Sequence, residues 1–166
     1  MPQLLEPGRD SPVSLVEITK ANLRDYLRLK VAPSQEHLVA PVAVSIAQAH
    51  FQPEAWFRGI AAGGTAVGFA MLEDWSQSPE SAPEDWWREP YIGLWRLLVD
   101  QRYQSLGFGT RALRLLIEHA RARPGTKAML LSFVPGEGGP EAFYRRFGFV
   151  PTGEVSEGEH VMRLVF

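Results

Sequence analysis

The residues best placed to do chemistry lie between Leu97 and Thr110. There the apolar run Leu97-Leu98-Val99 gives way to Gln104-Ser105-Leu106-Gly107-Phe108-Gly109-Thr110 and then to a helical pattern. Such a junction is built to hold a phosphorylated ligand. Gly107 and Gly109 remove the Cβ atoms that would keep a phosphate off the backbone, and the helix aims its unpaired N–H groups and positive dipole end at the turn. The neighbouring residues exclude two common phosphate loops. A P-loop needs Lys and then Ser or Thr after its last glycine, whereas Thr110 and Arg111 follow Gly109, and a dinucleotide fingerprint needs a third glycine where Ala112 stands. A second candidate is the stretch Pro140-Glu141-Ala142-Phe143-Tyr144-Arg145-Arg146-Phe147-Gly148-Phe149. It reads as a short helix with Pro140 in its first turn, Phe143 and Phe147 on one face and Gly148 as its stop. The chain has no Cys, which excludes disulfides, thiolate metal sites and a cysteinyl acyl-enzyme. No serine sits in a G-x-S-x-G elbow either, so any group transfer here passes directly between two bound substrates.

The elements that must position these residues follow from hydrophobic periodicity and turn signals. Residues 1 to 12, with three prolines and a glycine, read as a flexible lead-in, and residues 13 to 166 as one domain. Ser14 to Ile18 reads as a strand, with Thr19 as N-cap of a helix through Leu23, Tyr26 and Leu27. Ser34 to about Ala49 reads as helical, broken or restarted near Pro41. Trp56 to Ala62 and Thr65 to Leu72 flank Gly63-Gly64, a two-residue hairpin signal. Glu73 to Pro90 is an acidic, Pro/Ser-rich loop carrying Trp75, Trp86 and Trp87.

Tyr91 to Val99 is the strand that feeds the glycine turn. The helix from about Gly109 to Ala122 turns Leu113, Leu116, Ile117 and Ala120 inward and Arg111, Arg114, Glu118 and Arg121 outward. Ala128 to Val134 is a strand parallel to Tyr91 to Val99 if that helix is a crossover. Phe149 to Val155 and Met162 to Phe166 form a last hairpin around Glu157-Gly158. The order describes an α/β (α+β) fold with a mixed sheet and helices on its faces.

Seventeen basic and nineteen acidic residues give a net charge of −2, without the one-sided basicity that binding to nucleic acid requires. No apolar stretch is long enough for a membrane span, and Met1 to Asp10 has no charged segment followed by an apolar one, so a cytoplasmic location is expected. A homodimer is one assembly open to it.

Gln104-x-x-Gly107-x-Gly109 resembles the pyrophosphate-binding signature of the GNAT superfamily of acetyl-CoA-dependent N-acetyltransferases, and Phe143-Tyr144-x-x-x-Gly148-Phe149 resembles a second element of that superfamily. The resemblance runs from about residue 13 onward and is densest from Trp95 to Phe166. It implies a mixed, mostly antiparallel central sheet with helices on both faces, and acetyl-CoA as co-substrate. It also implies that the backbone of Leu98 and Val99 faces the acetyl group and pantetheine arm, with Gln104, Gly107, Phe108, Gly109 and Thr110 around the pyrophosphate. It further implies Tyr144 as the general acid, a role suited to a phenol because the departing thiolate has a reference pKa of about 8.5.

The acceptor amine, with a pKa near 10, must lose a proton before it attacks. Glu36, His37, Glu73 and Asp74 are the candidates for that task. Val31 to Ala40, Ser45 to Ala49, and the segments around Phe149 to Glu154 and Glu159 to Met162 resemble bacterial diamine and spermine/spermidine N-acetyltransferases. They imply a small primary amine, a polyamine among them, as acceptor. The carboxylates and tryptophans of Glu73 to Pro90 are a composition able to hold such a cation. Val42 and Glu137-Gly138-Gly139 depart from those relatives, which often carry Asn in both places. Acetylation of an amino acid, an antibiotic amine or a protein N-terminus remains an alternative, as does a non-catalytic CoA-binding regulatory module.

Overall fold

The computed structural model describes residues 6–83 and 87–166. Its strands form a seven-stranded sheet in the order β1-β2-β3-β4-β5-β7-β6, in which β4 and β5 run parallel. The chain divides into two compact units, one of residues up to Met71 together with Arg96–Leu116, the other of Leu72–Trp95 with Ile117–Phe166.

In the first unit β1 (Val13–Val16) pairs antiparallel with β2 (Ala55–Ala62), from Val13↔Ala62 to Val16↔Gly59. Gly63 and Gly64 both have positive φ, the conformation a two-residue hairpin needs, and they connect β2 to β3 (Thr65–Asp74). Helix α1 (Leu23–Leu27) lays the buried ring of Tyr26 directly on Gly59, where any Cβ would collide with it. Thr19 is not the cap expected from sequence. Its carbonyl accepts from Asn22 and Leu23, its own N–H donates to the Asn22 side chain at 2.7 Å, and the helix begins one turn later with Asn22 as N-cap. The expected helix from Ser34 is a single 3₁₀ turn, Pro33–Gln35, and the true α2 (Val42–His50) starts after Pro41, where the missing N–H does no harm. Ile60, Val67, Phe69, Met71, Phe108 and Leu113 are fully buried in this unit.

The second unit holds β4's first half, Tyr91–Leu94, parallel to β5 (Ala128–Phe133) from Tyr91↔Ala128 to Leu94↔Leu131. Strand β7 (Glu159–Val165) runs antiparallel to β5, and β6 (Val150–Ser156) lies antiparallel to β7. The β6–β7 register shifts between Pro151 and Val155, around Gly153 with φ +88°.

The segment after β3 is pinned to this core. Trp75 and Ala82 are buried with Tyr91, Ala128, Leu130 and Val161, and Trp87 packs against the same cluster. Asp74 ion-pairs with Arg123 at 2.7 Å, and the Gln77 amide donates to the Pro124 carbonyl at 3.1 Å. No helix among the described residues is long and apolar enough to cross a membrane.

Candidate active site

Strand β4 (Tyr91–Val99) ends at Asp100, whose carboxylate is buried. It accepts from the Lys30 N–H at 2.9 Å, the Arg102 N–H at 3.0 Å and the Arg102 guanidinium at 2.8 and 3.2 Å. Burial alone would raise its pKa, but the hydrogen bonds from Arg102 and Lys30 outweigh that and hold the carboxyl below its ordinary value. Two backbone bonds complete the join: Asp100 N–H to Val67 C=O at 2.8 Å, and Gln101 N–H to Lys30 C=O at 2.8 Å.

After the 3₁₀ turn Gln101–Tyr103 comes the glycine turn, with Ser105 at φ +63° and Gly107 at φ +81°. Gln104 does not extend its side chain toward a ligand: its amide donates to Gln35 Oε1 at 2.8 Å and to the Val99 carbonyl at 3.0 Å. Helix α3 (Phe108–Ala122) starts at once, with the Phe108 ring buried, so that only its backbone can face an anion. A Cβ on Gly107 would point into open space, and one on Gly109 would sit 3.6 Å from Val99 Cγ2. The turn is therefore open on the Gly107 side and close to the strand end at Gly109. Leu98 is buried, and its carbonyl lies against the face of Gly68, where a Cβ would come within 2.5 Å.

Thus Leu98, Val99, Gln104, Gly107, Phe108, Gly109 and Thr110 come together in the first unit. An open, positive-φ glycine next to the N-terminus of a fifteen-residue helix fits a diphosphate. Sequence reading missed Asp100 and Arg111. Asp100 carried only the weak signal of an acid closing an apolar strand two residues before an Arg. Arg111, expected outward, instead donates to four backbone carbonyls.

Tyr144 belongs to the second unit, in α4 (Glu141–Arg145). Its N–H closes the helical turn on the Pro140 carbonyl at 3.1 Å, an Arg145–Glu141 ion pair spans the helix, and Gly148 at φ +93° ends the segment. The phenol ring packs edge-on against Phe143 at 5.3 Å and Phe149 at 5.9 Å, and burial pushes its pKa up to about 12. It is a protonated donor at every physiological pH.

Of the four candidate bases, Glu36 and His37 are exposed. Asp74 is engaged by Arg123 and by the Ser76 N–H and hydroxyl, and Glu73 is half-buried with polar partners of its own. Trp75 is only 4% exposed, and one face of Trp87 carries the Arg163 guanidinium at 5.4 Å. Glu84, Asp85 and Trp86 lie outside the described residues.

Residues 18–149 match the sequence model of the acetyltransferase (GNAT) family. The chain is similar to a spermine/spermidine N(1)-acetyltransferase of Bacillus subtilis (strain 168), with 28% identity over 155 residues that make up 90% of this chain and 96% of that relative. In structure it is similar to an acetyltransferase from Thermus thermophilus, with a TM-score of 0.67 at 16% identity, covering 93% of this chain and 97% of that one. It is also similar to a paia N-acetyltransferase from Thermoplasma acidophilum in complex with coenzyme A, with a TM-score of 0.62 at 14% identity, covering 93% and 99%.

Proposed function

From the premise that the chain belongs to the acetyltransferase (GNAT) family and is an acetyl-CoA-dependent N-acetyltransferase, we propose that it acetylates a small primary amine of the polyamine class by direct transfer in the cytoplasm. The name of the Bacillus subtilis relative supports the acceptor class. The observation that carries the donor side is the open glycine turn capping α3 beside the end of β4.

When bound, acetyl-CoA supplies an activated thioester. The backbone N–H groups of the Gly107–Thr110 turn and the first turn of α3 hold its diphosphate, and the main chain of Leu98 and Val99 aligns the pantetheine arm. Gln104 contributes by fixing the Val99 carbonyl from behind rather than by touching the phosphates. The neutral amine nitrogen would form the new bond to the acetyl carbon as the carbon–sulfur bond breaks, Tyr144 Oη would give its proton to the departing sulfur, and the proton that leaves the nitrogen would restore the phenol. With its pKa pushed up to about 12 by burial, Tyr144 holds its proton until the thiolate forms.

With Trp75 buried and one face of Trp87 already carrying Arg163, the tryptophans of this segment offer the acceptor less cation–π surface than their number suggests. The deciding experiment is release of free CoA from acetyl-CoA in the presence of a panel of di- and polyamines, amino acids and N-terminal peptides. Turnover is expected with polyamines, and turnover confined to another class would move the acceptor there.

A further inference from the structure

Arg111 stands one turn into α3 and faces the glycine turn. Its Nη1 donates to the Ser11 carbonyl at 2.6 Å and its Nη2 to the Arg9 carbonyl at 2.8 Å and the Leu106 carbonyl at 3.3 Å. Its Nε reaches the Gly107 carbonyl at 3.4 Å, and the guanidinium lies 5.0 Å over the buried ring of Phe108. None of the ion pairs among the described residues includes it, and its charge is met by carbonyl dipoles and by the face of the Phe108 ring.

Two consequences follow from elementary geometry. In a trans peptide the C=O and N–H point in opposite directions, and no peptide among the described residues is cis. Drawing the carbonyls of Leu106 and Gly107 toward the guanidinium therefore turns the N–H groups of Gly107 and Phe108 the other way. Successive N–H groups turned to one side make an anion-binding concavity. A planar fork with five donors can gather several carbonyls at once, whereas a lysine ammonium has the charge without that shape.

We propose that Arg111 is a positioning residue for the diphosphate of acetyl-CoA. It holds the carbonyls of the turn back and the N–H groups forward, and it staples the segment Arg9–Ser11 to the turn, so that residues before β1 help to set cofactor affinity. The proposal rests on the reading of residues 104–110 as the cofactor turn.

The test compares two acetyl donors that share a thioester and arm but differ in the diphosphate: acetyl-CoA and S-acetylpantetheine. In Arg111→Ala, CoA binding by calorimetry should weaken at least tenfold and kcat/KM for acetyl-CoA should fall in step, while kcat/KM for S-acetylpantetheine stays within about twofold of wild type. Arg111→Lys keeps the charge and loses the fork, and should remain at least threefold weaker for CoA. It also serves alone, read by calorimetry, if the alanine variant does not fold. Unchanged CoA affinity in both variants, equal loss on both donors, or a lysine variant equal to wild type would each overturn the proposal. A wild-type enzyme that binds no CoA would instead overturn the cofactor reading beneath it.

Discussion

Tyr144 and Asp100 are both ionisable groups moved from their ordinary pKa values, in opposite directions and to different ends. For Tyr144, burial raises the pKa to about 12, so the protonated form persists through the whole range in which an amine becomes neutral. Turnover should accordingly rise with pH as the acceptor loses its proton and show no alkaline fall below about pH 10, which a kcat profile against pH checks. Tyr144→Phe keeps the ring contacts with Phe143 and Phe149 and removes the proton. It should lower kcat by roughly ten- to a thousandfold while CoA binding by calorimetry hardly changes, and wild-type turnover would reduce Tyr144 to a packing residue.

Asp100 acts on stability. Its loss in Asp100→Ala leaves the N–H groups of Lys30 and Arg102 without their acceptor, a cost of about 1–3 kcal/mol. Because the folded carboxyl titrates below the unfolded one, its contribution is present above the unfolded pKa of about 3.9 and is lost as pH falls through the lower folded value. Denaturation of wild type and variant should therefore differ at pH 7 and converge in acid, below the unfolded pKa of about 3.9. Neither Asp100 nor Arg111 was legible in the sequence, since their partners Lys30 and Arg9 lie 70 and 102 residues away.

At the scale of elements, the turn between β4 and α3 has room for a side chain but should not tolerate a negative one. Gly107→Glu meets a positive φ in open space, and Gly109→Glu makes ordinary contact with Val99. Each also sets a carboxylate where a diphosphate is to sit. Either should weaken CoA at least tenfold by calorimetry, and unchanged binding would remove the turn from the cofactor site.

The strands and α3 were legible in the sequence because each carries its own signal: apolar runs in β2 and β3 flanking the Gly63-Gly64 turn, and an apolar stripe of Leu113, Leu116, Ile117 and Ala120 along α3. The 3₁₀ turn at Pro33–Gln35 was not. Its polar residues have no period to read, and the Gln35 side chain closes the turn on the Ala32 N–H while accepting from Gln104, 69 residues away. Nor could composition tell that the tryptophan-bearing segment would spend Trp75 on core packing. A Trp in a polar stretch advertises exposure until the surface that covers it is known.

At the scale of the molecule, ligand binding should register as stability. CoA at about a hundred times its Kd adds about 2.7 kcal/mol to the folded state, a rise in Tm of roughly 5–10 °C for a chain of this size, and a thermal melt without any acceptor measures it. With no Cys in the chain, initial rates against both substrates should give intersecting lines, and intact-mass spectra should show no acetylated enzyme; parallel lines would demand another nucleophile.

The division of the chain has a bearing on how the protein is made. Its first compact unit takes in Arg96–Leu116 as well as residues before Leu72, so residues 72–95 of the second unit must leave the ribosome before the first can close. Until β4 emerges, β3 is an apolar strand, Val67 to Leu72, whose neighbour on that side does not yet exist. A nascent chain halted before residue 96 therefore offers an open edge to any other strand it meets. Slower synthesis or added chaperone should accordingly raise the yield of active protein, which expression at two temperatures checks.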